Sequence, residues 1–225
     1  ISRYDGPSPW CAAMVPVTKK GTSEVRICID FQRLNQNIQR QYYQSETPFE
    51  VVSSLPDEEL GYYAKFDARC GYWQVPLSED SKQYTVFITP YGRYVCNRAP
   101  FGVSSICEVY NMLMDNVVRG LPGVRKIVDD ILIFARSPAA LLDRVEKFFE
   151  RCRENGITLK KSKCDVLVQK VQFCGYVLSG KEVHASPEIV SGIHEFPSPK
   201  SLTQLRSFFG LVNQIAHFSK DVSKA

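Results

Sequence analysis

The sequence predicts an α+β fold built on antiparallel sheet, and three observations carry that prediction. Apolar runs of strand length occur in pairs joined by turn residues, mostly before residue 104. Stretches with an apolar residue every three or four positions take over after it. Strands and helices do not alternate one for one, as a parallel βαβ chain requires. With 225 residues, 44% hydrophobic and 23% charged, the chain suffices for one large domain or a few subdomains sharing a core.

The elements follow in order. "AAMVPVTKKGTSEVRICIDF" (12–31) holds two apolar runs around a Lys-Lys-Gly-Thr-Ser turn, a hairpin signal. "YAKFDARCGYWQVPL" (63–77) is strand-like and broken at Gly71. "KQYTVFITPYGRYVCNRAPFG" (82–102) reads as a second hairpin turning at Pro90-Tyr91-Gly92. Ser104 or Ser105 caps a helix with Ile106, Val109, Tyr110, Leu113, Met114 and Val117 on one face, stopped by Gly120. A second helix starts with Ser137 as cap and Pro138 in its first turn. It carries Leu141, Leu142, Val145, Phe148, Phe149 and Cys152 as far as Gly156. A last amphipathic helix starts near Ser201 and presents Leu202, Leu205, Phe208, Phe209, Val212 and Ile215. No internal repeat or low-complexity linker interrupts this order.

Lys plus Arg exceed Asp plus Glu by 28 to 24, a net charge of +4 too weak by itself to indicate a polyanionic partner. The eight cysteines show no CxxC spacing, and the three histidines supply no zinc pattern beside them. Apolar contexts such as "RICID" and "VQFCGYV" favour reduced cysteines serving as small core residues of an intracellular protein. No signal peptide and no apolar run near the roughly 18 residues of a membrane span is present. The chain begins at Ile1, which suggests a processed product or an excised piece of a longer protein.

The run "KIVDDILIFA" (126–135) poses the functional question, because it sets two adjacent carboxylates, Asp129 and Asp130, into apolar sequence. Burying either unpaired costs several kcal/mol. Two readings compensate that cost. One is a solvated hairpin tip between "RKIV" and "ILIF", with Asp129-Asp130 as the turn. The other is a bound cation, which needs a further carboxylate. Asp67 is the candidate, an acid at a strand end, although such an acid is commonly a turn former. Mg²⁺ prefers such oxygen donors, and paired ions can activate a hydroxyl and steady a leaving pyrophosphate.

Asp67 with "GYWQVPL", then "TPYGRYVCNRAPFG", "VDDILIF" and "FCGYVLSG", in this order and spacing, resemble the reverse transcriptase of gypsy-type long-terminal-repeat retrotransposons and their retroviral relatives. "SPWCAAMVPVTKKGTSEVRICIDFQRLNQ" resembles the fingers segment of that family, and "PEIVSGIHEFPSPKSLTQLRSFFGLVNQIAHF" the stretch entering the thumb. The resemblance implies a right-hand polymerase architecture, with an antiparallel palm sheet backed by helices, fingers and a partial thumb. It divides the chain into fingers at 1–44 and 77–105, palm at 45–76 and 106–180, and the start of the thumb at 181–225.

The implied site residues are specific. Asp67, Asp129 and Asp130 are the catalytic acids holding two Mg²⁺ ions, for which Mn²⁺ can substitute. Arg26 contacts the nucleotide phosphates together with Lys19 or Lys20, between which the variable turn does not decide. Tyr72 lies beneath the deoxyribose and excludes a 2′-hydroxyl, while Phe101 and Gly102 lie near base and template. Ile127, Val128, Phe173, Cys174 and Gly175 position the primer end. The basic residues Arg151, Arg153, Lys160, Lys161 and Lys163 either contact phosphates or form a solvated helix end and loop.

Three departures from the family pattern stand out. Ile127 replaces the usual Tyr two places before the first Asp of the pair, "SSIC" replaces a common Asn-Ala-Pro, and the fingers turn lacks an Asp before Gly. The expected function is RNA-directed DNA polymerization, within a retroelement Pol polyprotein, on an RNA or DNA template with primer and deoxynucleoside triphosphates. Its alternatives are a catalytically weak or inactive nucleic-acid-binding remnant and a different two-metal enzyme such as a nuclease. The expected setting is the cytoplasm, with virus-like particles as a further location, no membrane partner and other parts of the polyprotein as neighbours.

Overall fold

The computed structural model of the chain describes residues 1–18, 23 and 25–218. Lys19 and Lys20, the two candidates in the first hairpin turn, lie outside the described residues. In chain order the elements begin with β1 (Ser2–Arg3), β2 (Ala12–Thr18), β3 (Val25–Ile29), α1 (Gln32–Asn35) and α2 (Pro48–Ser53). β4 (Tyr62–Asp67), α3 (Glu79–Lys82), β5 (Phe87–Thr89), β6 (Gly92–Val95) and α4 (Ile106–Val118) follow. Next come β7 (Val124–Ile127), β8 (Asp130–Ala135), α5 (Pro138–Glu154) and β9 (Asp165–Val168). β10 (Lys170–Phe173), β11 (Tyr176–Ser179), β12 (Glu182–Ala185), α6 (Pro187–His194) and α7 (Leu202–Ile215) close the order. The chain divides into two compact units, one of residues 1–45, 67–121 and 147–161, the other of 46–66, 122–146 and 162 onward.

The first unit holds a five-stranded sheet in the order β1-β6-β5-β2-β3. β2 and β3 pair antiparallel from Met14↔Ile29 to Thr18↔Val25, as the first hairpin predicts. β5 and β6 pair with Thr89 opposite Gly92, so the turn is Pro90-Tyr91 and Gly92 already belongs to β6. β2 and β5 pair in parallel, the one parallel pair among the described strands of this sheet. A parallel pair needs a crossover of a dozen or more residues, and residues 30–86 supply it. Ile29, Phe31, Phe87 and Cys96 form the apolar centre, with Met14, Leu34, Trp73 and Tyr94 packed against them.

Two predicted features of this unit are corrected. The strand expected to run on to Gly71 ends at Asp67, and Gly71–Gln74 is a short 3-10 turn entered through Cys70 at φ 52°. A left-handed residue reverses the chain and cannot continue an extended ladder. On α4, Ser105 stands at the cap position but makes no capping hydrogen bond. Ile106, Tyr110, Met114 and Val117 are its buried stripe, while Val109 lies one step off that stripe and is exposed.

The second unit holds a four-stranded sheet, β7-β8-β4-β9, and a three-stranded one, β10-β11-β12. Both faces of β8 are covered, since Leu132 and Phe134 are buried on one side and Ile131 and Ile133 on the other. That double burial explains why "ILIF" reads as a continuous apolar run. Leu132 and Phe134 join Tyr63, Phe173, Tyr176 and Leu178 in one cluster, completed by Val51 and Val52 of α2. Each such large side chain contributes roughly 1.5–3 kcal/mol on burial. The hydroxyl of Tyr63, on β4, donates to the carbonyl of Gly180 at 2.5 Å and so ties this sheet to the β11–β12 turn.

Helix entry in this unit is set by side-chain caps. Thr47 Oγ1 accepts from Glu50 N at 3.2 Å, and Glu50 Oε2 accepts from Thr47 N at 2.7 Å, a reciprocal cap worth about 1 kcal/mol. The Ser137 hydroxyl accepts from Ala140 N, as predicted for α5. Leu141, Val145, Phe148 and Cys152 of α5 are buried, whereas Leu142 and Phe149 flank that stripe and are exposed. Ser201 caps α7, but none of the helix's residues is buried, and Leu202 is 63% exposed. All eight cysteines are free, yet only Cys96 and Cys152 are core residues, so the expectation of general core use is too broad. Among the described residues no helix is long and apolar enough to cross a membrane.

Candidate active site

The adjacent aspartates stand at the head of the β7–β8 hairpin. Ile127 pairs with Asp130, so the two turn residues are Val128 and Asp129, and Asp130 opens β8. The turn lies one residue earlier than the expected Asp129-Asp130. The ladder runs from Val124↔Ile133 to Ile127↔Asp130, and that pairing leaves only Val128 and Asp129 to turn the chain. Val128 has φ 51°, and Asp129 is not among the residues of positive φ, the pattern of a type II′ turn. That position ordinarily takes Gly. A β-branched residue held there costs on the order of 1–3 kcal/mol.

Each carboxylate then has its own surroundings. Oδ1 of Asp129 is buried. Oδ1 of Asp130 lies 3.6 Å from the Lys65 ammonium, and Oδ2 accepts from the Cys174 thiol, also at 3.6 Å. Alternation along β4 puts Lys65 on the same face as Tyr63 and as Asp67, the last residue of the strand. Cys174 and Gly175 are the two turn residues between β10 and β11, since Phe173 pairs with Tyr176. Both have positive φ, 47° and 89°, and a Cβ on Gly175 would meet Ile189 Cδ1 at 2.8 Å. Burial, reinforced by the Asp130 carboxylate, pushes the Cys174 thiol up to about 12, so it stays protonated and donates.

In the first unit the chain just after β4 is held by backbone and amide bonds. The Asp67 carbonyl accepts from Lys160 N, and Arg69 N donates to Thr158 O, both at 2.9 Å. The Gln74 side chain donates to the Arg69 and Thr158 carbonyls at 2.7 and 3.0 Å, and its Oε1 accepts from Thr158 N at 2.7 Å. This clasp fixes the loop that carries Tyr72. The Tyr72 ring lies 5.1 Å from Phe101 and 5.5 Å from the buried Tyr110. Asn35 holds the other wall, donating to Gly102 O at 2.8 Å and accepting from Ser104 N at 2.9 Å. Gly102 meets this arrangement at φ 97°, a conformation other residues adopt only under strain.

The structure thus brings Tyr72 against Phe101 in one unit, and Asp130 against Cys174 in the other. Ile127 packs on the cluster that contains Phe173 and Tyr176, an apolar role for the place where the family pattern has Tyr. Arg26 lies on β3 opposite Val17. Among the described residues, no three His, Cys, Asp or Glu side chains gather into a ready-made metal cluster. Sequence reasoning missed Lys65, Gln74, Asn35 and Tyr110. Lys65 carried a usable signal, a charge at an inward register of "YYAKFD", two places before Asp67. Asn35 and Gln74 carried none, because their partners are backbone atoms remote in sequence.

Comparison with known proteins identifies the family and the fold. The family model described as reverse transcriptase (RNA-dependent DNA polymerase) matches residues 17–178. The putative enzymatic polyprotein of Cassava vein mosaic virus is 30% identical over 199 residues, 87% of this chain and 30% of that protein. The retrovirus-related Pol polyprotein from transposon gypsy of Drosophila melanogaster is 27% identical over 224 residues, 95% of this chain and 21% of that protein. The chain therefore spans less than a third of the length of these curated relatives. Among solved structures, the foamy viral protease-reverse transcriptase in complex with double-stranded DNA superposes with a TM-score of 0.89 at 23% identity, over 100% of this chain and 38% of that one. The same viral protein in complex with RNA/DNA hybrid gives 0.81 at 23% identity, over 96% of this chain and 29% of that one. These superpositions make the fold the right-hand polymerase architecture. With the model matching from the first hairpin to β11, the chain belongs to the reverse transcriptase (RNA-dependent DNA polymerase) family.

Proposed function

We propose that this chain is the polymerase portion of a retroelement Pol polyprotein and extends a primer with deoxynucleotides on an RNA or DNA template. The observation that carries the reading is the pair Asp129-Asp130, presented by a strained two-residue turn in a chain of this family. Asp67, Asp129 and Asp130 would hold two Mg²⁺ ions, with Mn²⁺ as a substitute. The donors fit, since all are hard carboxylate oxygens, the ligand type that Mg²⁺ takes. Bound Mg²⁺ lowers the cost of ionising the primer 3′-hydroxyl and of developing charge on the departing pyrophosphate.

The chain's own residues do the rest. Tyr72, its ring packed beside Phe101 and Tyr110, excludes a ribose 2′-hydroxyl by clash. Arg26, with Lys19 or Lys20, binds the triphosphate of the incoming nucleotide. The Cys174-Gly175 turn and the Ile127-Val128 segment hold the primer end. Fingers at 1–44 and 77–105, palm at 45–76 and 106–180, and thumb from 181 are part of the same proposal. So is a long-terminal-repeat element of gypsy type, supported by the match to transposon gypsy, as are the cytoplasm and virus-like particles as its setting.

Primer extension on primed homopolymeric RNA with Mg²⁺, comparing the native chain with Asp129→Asn, tests the reading. Incorporation should fall by about three orders of magnitude or more in the variant. A folded native chain that binds hybrid with steep salt dependence but adds no nucleotide contradicts it, and favours the nucleic-acid-binding remnant instead.

A further inference from the structure

We propose that Lys65 is a resident counter-ion of the site, competing with the metal for Asp130. This rests on the reading of Asp130 as a metal ligand. The Lys65 ammonium is 3.6 Å from Asp130 Oδ1, and the two side chains are 22% and 33% exposed. The pair is therefore less screened than an ion pair in open solvent. On the other side of the carboxylate, the Cys174 thiol donates to Oδ2. Both oxygens that a cation would use are already engaged by donors of this chain.

Its place in the strand gives the lysine no ordinary structural reason. Tyr63, Ala64 and Phe66 around it on β4 are all buried. A charge at that inward register is costly unless paired. Asp165 of β9 stands opposite Lys65 in the ladder, but it is exposed, and the ion pair runs to Asp130 instead. The lysine thereby offsets the mutual repulsion of Asp129 and Asp130 and holds the second carboxylate in place before metal arrives.

A divalent cation bound to Oδ1 at about 2 Å and an ammonium beside the same oxygen repel each other. Loading the site must turn Lys65 away, with the exposed Asp165 as an alternative partner. The free energy of the Lys65–Asp130 pair then subtracts from metal binding. The expected size is a five- to tenfold weakening of the metal's apparent affinity, equivalent to about 1–1.4 kcal/mol. Lys65 thus sets the metal concentration at which the site fills.

Mn²⁺ titration of the full chain by electron paramagnetic resonance, without nucleotide or primer, tests this. The set is native, Lys65→Met, Lys65→Gln, Lys65→Arg and Asp130→Asn, with melting temperatures in EDTA. Lys65→Met and Lys65→Gln should lower the Mn²⁺ Kd five- to tenfold and melt earlier in EDTA, while Lys65→Arg stays near native in both. Two neutral variants guard against one failing to fold. A Kd in a folded neutral variant equal to or weaker than native overturns the inference, provided Asp130→Asn loses the Mn²⁺ that native binds. If Asp130→Asn binds Mn²⁺ as native does, the metal-ligand reading itself falls, and this inference with it.

Discussion

Two tight turns meet at Asp130, and they obey different rules. The β10–β11 turn uses Cys174 and Gly175, both at positive φ, with Gly where a side chain would strike Ile189. The β7–β8 turn uses Val128 and Asp129, with a β-branched residue at φ 51° and no glycine. Both turns have two residues and both lie within one compact unit. The first holds one non-glycine residue, Cys174, at φ 47°, but gives its second left-handed position to glycine. The second accepts local strain while presenting adjacent carboxylates, the trade expected where side-chain placement matters more than stability.

The sharpest way to break this contrast is Gly175→Val, which puts into the glycine-bearing turn what the other tolerates. Valine is strained at φ 89° and its Cβ would also push aside the end of the Ile189 side chain, so urea unfolding should show a loss of about 1–3 kcal/mol. A loss below about 0.5 kcal/mol would show that both turns bear such a residue equally well.

A smaller effect is expected from Tyr63→Phe, which removes the hydrogen bond to Gly180 in the next turn along, between β11 and β12. The stability lost should be about 1–2 kcal/mol, because the carbonyl is left with one partner fewer. Burial raises the Tyr63 hydroxyl to about 12 in the folded chain, against an ordinary value of 10. Its contribution is thus complete below pH 10 and disappears as pH rises from 10 to about 12. Alkaline denaturation of Tyr63→Phe should accordingly show a shallower decline over that window.

The same two turns show how much could be read from sequence. "FCGYV" is picked out by the family resemblance, and the structure makes Cys174-Gly175 a two-residue turn between Phe173 and Tyr176. In "KIVDDILIFA" the hairpin was legible, but its register was not. Asp is a common turn residue and Val is not, so propensity points to Asp129-Asp130, whereas the ladder pairs Ile127 with Asp130 and puts the turn at Val128-Asp129. The carboxylates and Tyr72 were found through motif order. Lys65 was passed over because a lysine in a strand reads as solvated until its partner across the sheet is known. Gln74 and Asn35 are beyond reach of sequence, since their bonds go to the Thr158 and Gly102 backbones.

On the function proposed above, the strain at Val128 serves the chemistry of the carboxylates beside it. The most direct test is the rate of single-nucleotide incorporation by Val128→Gly, read beside its melting temperature. Glycine relieves the positive φ, so the melting temperature should rise by about 2 °C, while incorporation falls roughly tenfold as the carboxylates lose a fixed position. A variant that melts higher and incorporates as fast as the native chain would contradict the claim and leave the strain incidental.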